Sequence, residues 1–300
     1  MLKNTIDIIG VPLDYGGNRR GVDMGPSAVR YSHLKEKILK MGLIYHDSGN
    51  IIIPVPEEQD EIGKYTYTAQ INAVNQQLYL KVLRSHKNDM FPLIIGGDHS
   101  LSMGSCLASK DFFSDLGVIW IDAHSDFNTL ESSLTGNIHG MPLSTIVGRD
   151  KGSLNIPGRE HNDFINEENV VIIAARDLDA AEVKMLRDSK ITVFSMQYID
   201  KHGMHETIKK SIEIASAGTK GIHVSLDLDA ISPEEAPGVG TPVQGGLTLR
   251  EAHLAMELLY AGDRMVSLDV VELNPITDNN NLTGNLAVSL IQSAFGKNII

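Results

Sequence analysis

Cysteine is almost missing from this chain. Cys106 stands alone among 300 residues, so no intrachain disulfide can form and a disulfide-stapled scaffold is excluded. A zinc site built from several thiolates is excluded with it. Such cysteine usage fits a reducing compartment, and a cytoplasmic protein is expected. Long apolar runs are also missing. No window approaches the ~18 apolar residues that a membrane helix needs. The apolar stretch near the N-terminus is short and is interrupted by Asp7, so it reads as no secretory signal. Positive charge is in deficit: Lys+Arg 26 against Asp+Glu 38 leaves −12 with histidine neutral. An acidic chain repels phosphate backbones, so neither nucleic acid nor membrane is an expected partner. Repeats, low-complexity tracts and linkers are absent as well, and a single domain over 1–300 is expected.

What is present is an ordinary globular composition, 42% hydrophobic and 21% charged, which excludes intrinsic disorder. Short Val- and Ile-rich runs recur along the chain. Strands are predicted at about Thr5–Val11, Pro92–Gly96, Gly117–Ile121, Val170–Ala174, Thr192–Ser195, Gly221–Leu228 and Val266–Val271. Several lack polar alternation, as strands covered on both faces do. Helical patterns lie between them. Thr66–His86 places Ile71, Val74, Leu78 and Val82 near helical spacing, and Thr248 with Glu251 reads as a capping box opening a helix that ends at Gly262. Strand–helix alternation predicts an α/β fold with a mainly parallel sheet flanked by helices on both faces. The long polar stretch Pro233–Gly246 follows a strand and precedes a helix, and reads as a functional loop.

The residues that are costly to bury cluster where these strands end. Pro92–Gly96 leads to Asp98 and His99, and Gly117–Ile121 to Asp122, His124 and Asp126. Gly221–Leu228 carries Asp227 and leads to Asp229, and Val266–Val271 leads to Glu272. Ligands of open α/β sheets bind outside the carboxyl ends of the strands. In extended backbone, residues i and i+2 project to one side, so Asp122, His124 and Asp126 share a face if their strand continues, as do Asp227 and Asp229. Carboxylates gathered on one face repel each other unless cations intervene. Four carboxylates with two imidazoles suit a pair of divalent ions such as Mn²⁺, with Co²⁺, Ni²⁺, Fe²⁺ and Zn²⁺ also open. Two ions sharing carboxylates can hold a hydroxide nucleophile between them. Asp98 alone reads as a turn or capping residue. Trp120 and Cys106 read as core. His223 reads as a supporting or packing residue. His33, His46, His86, His161, His202, His205 and His253 have no acidic motif beside them and read as ordinary.

GGDHS at 96–100, DAHSDFNT at 122–129, TGNIHGMP at 135–142, SLDLDAISPEEAPGVGTPVQGGLTLRE at 225–251 and VVELNP at 270–275 together resemble the ureohydrolase family, and within it the arginases. The match in order and spacing runs over nearly the whole chain. The resemblance implies a fold of about eight strands and a binuclear manganese hydrolase, two Mn²⁺ per chain, that converts L-arginine to L-ornithine and urea through a metal-bridging hydroxide. It implies one ion on His99, Asp122, Asp126 and Asp227, and a second on His124, Asp122, Asp227 and Asp229. Asp126 would orient the nucleophile, Glu272 would pair with the guanidinium, and His139 would shuttle a proton. Asn128, Asn137 and Thr135 would read the substrate's α-carboxylate, with Thr135 replacing the family's usual Ser. Asp179 would meet the α-amino group, and Thr241 would join the substrate site. A homo-oligomer, trimer or hexamer, is implied too. A sister enzyme acting on agmatine or another guanidino compound is the alternative, and Asn128 and Asn137 argue against it. A two-metal phosphoesterase would need cationic residues for phosphate, and these motifs hold almost none. A retired, non-enzymatic scaffold is opposed by the complete set of ligands.

Overall fold

A computed structural model describes residues 3–53, 67–150, 152, 154–159 and 163–297. Its strands are β1 (Thr5–Val11), β2 (Ile44–Asn50), β3 (Phe91–Gly96), β4 (Leu116–Ile121), β5 (Val170–Ile173), β6 (Thr192–Phe194), β7 (Gly221–Asp227) and β8 (Met265–Val271). They form one sheet in the order β2-β1-β3-β8-β7-β4-β5-β6, and every neighbouring pair is parallel. The helices are α1 (Gly25–Tyr31), α2 (Leu34–Lys40), α3 (Thr68–Lys87), α4 (Ser102–Phe113), α5 (Pro142–Ile146), α6 (Ala180–Arg187), α7 (Met196–Ala215), α8 (Leu249–Ala261) and α9 (Leu282–Ala294).

The strands inside the sheet feed two cores by turns, because successive side chains leave a strand on opposite faces. Ile6 and Ile8 of β1 enter one core with Leu34, Ile208, Met256 and Leu290 of α2, α7, α8 and α9. Ile9 and Val11 enter the other with Ile71, Leu107, Leu143 and Leu186 of α3, α4, α5 and α6. Both faces are therefore dry, which explains the apolar strands without alternation.

The seven predicted strands are all present, with small differences at their ends. The fourth of them, β5, stops at Ile173 because Ala174 takes a left-handed φ of 76°. The strand that sequence reading missed is β2. It lies at the sheet edge, largely exposed, and past Tyr45 it carries only polar residues and glycine. Side chains hold it in place: Arg30 donates to Asp47 Oδ1 at 2.8 Å and to Asn50 Oδ1 at 2.6 Å. Charged edges of this kind also discourage pairing with another chain. The capping box is present, with Glu251 N donating to Thr248 Oγ1 at 3.3 Å and Thr248 N donating to Glu251 Oε2 at 2.9 Å. Gly262 ends that helix in right-handed conformation, and Asp263 at φ 49° makes the turn. Thr66 and His161 lie outside the described residues. No helix among the described residues is long and apolar enough to cross a membrane.

His86 is less ordinary than its sequence context suggests. It is buried, its Nε2 lies 3.0 Å from Ser109 Oγ, and its ring stacks on Phe112 at 5.1 Å. Burial, then the charges of His223 and Lys3, push its pKa from 6.5 down to about 3. Between those values the unfolded chain binds a proton that the folded chain does not, so stability falls as pH falls. In urea unfolding, the stability advantage of the unmodified chain over His86→Gln should shrink by about 1.4 kcal/mol per pH unit below pH 6. A difference that does not vary with pH would show that His86 titrates normally.

Candidate metal centre and cleft

β3, β8, β7 and β4 lie side by side in the sheet, so the four acidic segments meet at one rim. Asp98, Asp122 and Asp227 share a local device. Each accepts, through Oδ1, the backbone N–H two residues on: Ser100 at 3.0 Å, His124 at 2.7 Å and Asp229 at 2.7 Å. Such a turn ends the extended backbone. The expected i, i+2 alternation therefore does not carry the arrangement. β4 stops at Ile121, Asp126 sits at φ 50°, and Leu228–Ala230 form a 3-10 turn. Convergence follows instead from the turns, which in Asp122 and Asp227 leave Oδ2 for the centre. Asp98 spends its Oδ2 on Gly16 N at 2.8 Å and is a capping residue, as its sequence position suggested. Burial and the neighbouring Glu272 charge raise its pKa to about 6.

His99 Nδ1 lies 3.1 Å from Asp122 Oδ2, 2.9 Å from Asp126 Oδ2 and 3.2 Å from Asp227 Oδ2. His124 Nδ1 lies 3.1 Å from Asp229 Oδ2 and 3.4 Å from Asp122 Oδ1. Two groups with metal-ligand spacing result, His99–Asp122–Asp227 and Asp122–His124–Asp229, with donor atoms in each within 4.8 Å of one another. Asp122 belongs to both. His99 Nδ1 and Asp126 Oδ2 are buried and make no hydrogen bond. Buried polar atoms are rarely left so, and a cation at their shared focus would satisfy them. The carboxylates show the strain of crowding. Burial and then the charge of Asp122 raise Asp126 to about 7, and burial with the charges of Asp229 and Asp122 pushes Asp227 well up. A set of hard carboxylate oxygens with imidazole nitrogen fits Mn²⁺ and related divalent ions.

The ligand residues are themselves held. The His99 ring stacks on Trp120 with centroids 4.0 Å apart and planes at 9°, while Trp120 Nε1 donates to Asp122 Oδ2 at 3.0 Å. His99 Nε2 lies 2.8 Å from Ser225 Oγ. Trp120 is thus core, as read, and also sets two ligand residues. The signal available in sequence was its position two residues before Asp122. His223 is buried against Asp269, with Nε2 3.0 Å from Oδ2, and stands away from the centre.

Above the centre opens a cleft of about 140 Å³, lined among others by Asn128, Thr135, Asn137, His139, Thr241 and Glu272. Glu272 takes φ 64°, accepts His99 N–H at 2.9 Å and lies 3.0 Å from His139 Nδ1. Burial opposes its charge most, but the hydrogen bond and charge of His139, with the backbone N–H and charge of His99, together outweigh it and lower its pKa. Burial likewise opposes the His139 imidazolium, yet the bond and charge of Glu272 raise it to about 9. Thr241 Oγ1 donates to Asp229 Oδ2 at 2.8 Å. Thr135 Oγ1 accepts from Asn137 N at 3.2 Å, leaving its hydroxyl hydrogen to donate.

Of the expected substrate-binding residues, Asp179 alone stands back from this wall. It is the N-cap of α6, accepting from Ala181 N at 2.8 Å and Glu182 N at 2.9 Å, and its Oδ2 accepts from Asn128 Nδ2 at 2.8 Å. Glu182, which sequence reading passed over, accepts Ser125 Oγ at 2.5 Å and Asp179 N at 3.1 Å, and so ties this cap to the Asp122–Asp126 loop. The Asp179…Glu182 spacing is a capping-box pattern and was the available signal.

A doubly wound parallel sheet with paired carboxylate–imidazole clusters at its carboxyl rim, beneath a polar cleft, has the form of a hydrolytic enzyme with a centre suited to divalent metal. Comparison with known proteins narrows the class. The model of the Arginase family matches residues 4–296, and the chain belongs to that family. It is 45% identical to the arginase of Bacillus subtilis (strain 168) over 303 residues, and 42% identical to that of Brevibacillus brevis over 300 residues. Each alignment covers 100% of both chains. The solved structure of Bacillus caldovelox arginase superposes with a TM-score of 0.95 at 42% identity, covering 100% of each chain.

Cation binding should displace protons from the centre. With Asp126 held at about 7, its proton competes increasingly as pH falls, so Mn²⁺ affinity measured by calorimetry should drop between pH 8 and pH 6. Trp120→Phe, which lacks the N–H on Asp122, should weaken binding by about tenfold. Affinity independent of both would count against this centre.

Proposed function

We propose that this chain hydrolyses L-arginine to L-ornithine and urea, with two Mn²⁺ per chain. His99, Asp122, Asp126 and Asp227 would hold one ion, and His124, Asp122, Asp227 and Asp229 the other. The observation that carries the reading is the buried, ionised Glu272 beside His139, at the mouth of the two His/Asp groups in one cleft. The arginase names of the full-length relatives support the choice of substrate.

When bound, the ions supply a water acidified toward neutral pH and positive charge for the developing oxyanion. The chain's own residues do the rest. Glu272 pairs with the substrate guanidinium and sets its carbon over the centre. Asp126 orients the attacking water. As the new C–O bond forms and the bond from carbon to the side-chain nitrogen breaks, the departing amine needs a proton. His139 supplies it at Nε2, its Nδ1 being held by Glu272. Asn128, Asn137 and Thr135 donate to the α-carboxylate. Asp179, which would meet the α-amino group, stands behind Asn128 and accepts its amide, so it would act on the substrate together with Asn128. Assembly as a trimer or hexamer, which the family resemblance supports, and a place in the cytoplasm, which the single cysteine supports, belong to the same reading.

Mn²⁺ titration of the stripped chain should reach two ions per chain, and one in His99→Ala. L-arginine should exceed agmatine in kcat/KM by at least about a hundredfold, roughly 2.7 kcal/mol. Asn128→Asp sets a carboxylate against both the α-carboxylate and Asp179, and should cut that ratio by about tenfold or more through KM for arginine. Equal kcat/KM for the two substrates in the unmodified protein would end the arginine reading and leave family membership standing.

A further inference from the structure

Arg176 has no place in the site described so far. It follows the left-handed Ala174 at the end of β5, and its guanidinium points at backbone. Nη2 donates to Asp229 O at 2.7 Å and to Val243 O at 2.7 Å. Nη1 donates to Ala230 O at 3.2 Å and to Ala174 O at 3.4 Å, and Nε donates to Gln244 O at 3.2 Å. Five acceptors on three separate segments thus meet one planar fork, which has five N–H groups in fixed directions.

The segments joined in this way matter. One is the end of β5. The second is the backbone of Asp229 and Ala230. The third belongs to the long polar loop that returns from β7 to α8. That loop carries Thr241, whose hydroxyl bonds Asp229 Oδ2 at 2.8 Å. It also passes Glu272: a Cβ on Gly240 would stand 3.0 Å from Glu272 Oε2. The packing against Arg176 is close. A Cβ on Gly246 would lie 2.6 Å from Nη2 and 2.6 Å from Ala230 O, so a glycine is needed where the loop crosses the guanidinium. A long loop without regular structure pays for order unless something fixes it, and here the fixing is done by a side chain that is not among the residues lining the cleft.

We propose that Arg176 is a positioning residue that clamps the 239–246 loop to the Asp229–Ala230 backbone. It thereby sets the Thr241 hydroxyl and the Asp229 carboxylate, and with them the His124-side cation position and the fit of substrate. The proposal rests on the reading that Asp229 and Thr241 belong to the active site. A lysine, with one ammonium on a flexible stem, cannot span the three segments, so the fork itself is required.

The test compares unmodified protein with Arg176→Gln, Arg176→Lys and Gly246→Ala. Hydrogen exchange of the metal-free proteins, Mn²⁺ calorimetry and arginine kinetics are measured on each. Exchange over 239–247 should speed at least tenfold in Arg176→Gln and in Gly246→Ala, which keeps the charge but displaces it. Amides of β3, β4, β7 and β8 should stay unchanged. The Mn²⁺ position on His124 and Asp229 should lose about tenfold in affinity, with the position on His99 and Asp126 unaffected. KM for arginine should rise about tenfold, with kcat falling less. Arg176→Lys should recover only part of each effect. Unchanged loop exchange, acceleration spread through the whole sheet, or full recovery by lysine would each overturn the clamp. Absence of arginine hydrolysis in the unmodified protein would instead overturn the functional reading, while metal-free exchange would still decide whether Arg176 holds the loop.

Discussion

Asp122, Asp126, Asp227 and Asp229 are buried within reach of one another, and their mutual repulsion is the constraint around which the rest is arranged. Left to themselves, such groups take up protons or move apart. The raised pKa values of Asp126 and Asp227 show the first tendency, and the surrounding structure prevents the second. Closely spaced parallel strands bring the segments together, and the turns at Asp122 and Asp227 lock each carboxylate by one oxygen. What remains is a set of lone pairs facing inward, with His99 Nδ1 and Asp126 Oδ2 unpartnered. Held in this way, the groups are set in advance in an arrangement that a divalent cation would fit.

The order around the centre has a cost in backbone conformation. Asp126, Ala174 and Glu272 all take positive φ, at 50°, 76° and 64°. For residues other than glycine this costs on the order of 1–3 kcal/mol each, and such strain persists only where surrounding contacts outweigh it. Here those contacts are visible. The Asp122–Asp126 loop is pinned through Ser125 and Phe127 to Glu182. Glu272 is held by the backbone of His99 and by the ring of His139. Ala174 delivers Arg176 to its five carbonyls. The strained residues thus lie where the chain turns beyond β4, β5 and β8: Asp126 and Glu272 face the cleft, and Ala174 leads to Arg176 on the backbone beside it.

The same electrostatics suit a cationic substrate. On the proposed reading, a guanidinium would enter a cleft whose buried Glu272 stays ionised, and the charge developing during hydrolysis would fall where divalent ions would sit. Specificity would then lie farther out, in hydroxyl and amide groups suited to a carboxylate. Asn128 joins the two parts, since it lines the cleft and also donates to Asp179 at the start of α6.

Most of this was legible in sequence, and what was not has a physical reason. Seven strands announced themselves because both faces of the sheet are buried. β2 did not, because an edge strand satisfies itself with polar side chains such as Asp47 and Asn50. The motifs named the family and the residues that gather at the centre. The predicted means of convergence was wrong: extended alternation was expected, whereas capping turns do the work, and turn geometry depends on hydrogen bonds that only the folded chain makes. Trp120 was read as core alone, and Glu182 and Arg176 were passed over, for the same reason, since each also acts on residues distant in sequence. Residue chemistry and strand periodicity, which are local, were settled by the sequence alone. Which oxygen faces the centre, which loop lies on which guanidinium, and that Asp179 stands behind Asn128 were decided only by tertiary packing.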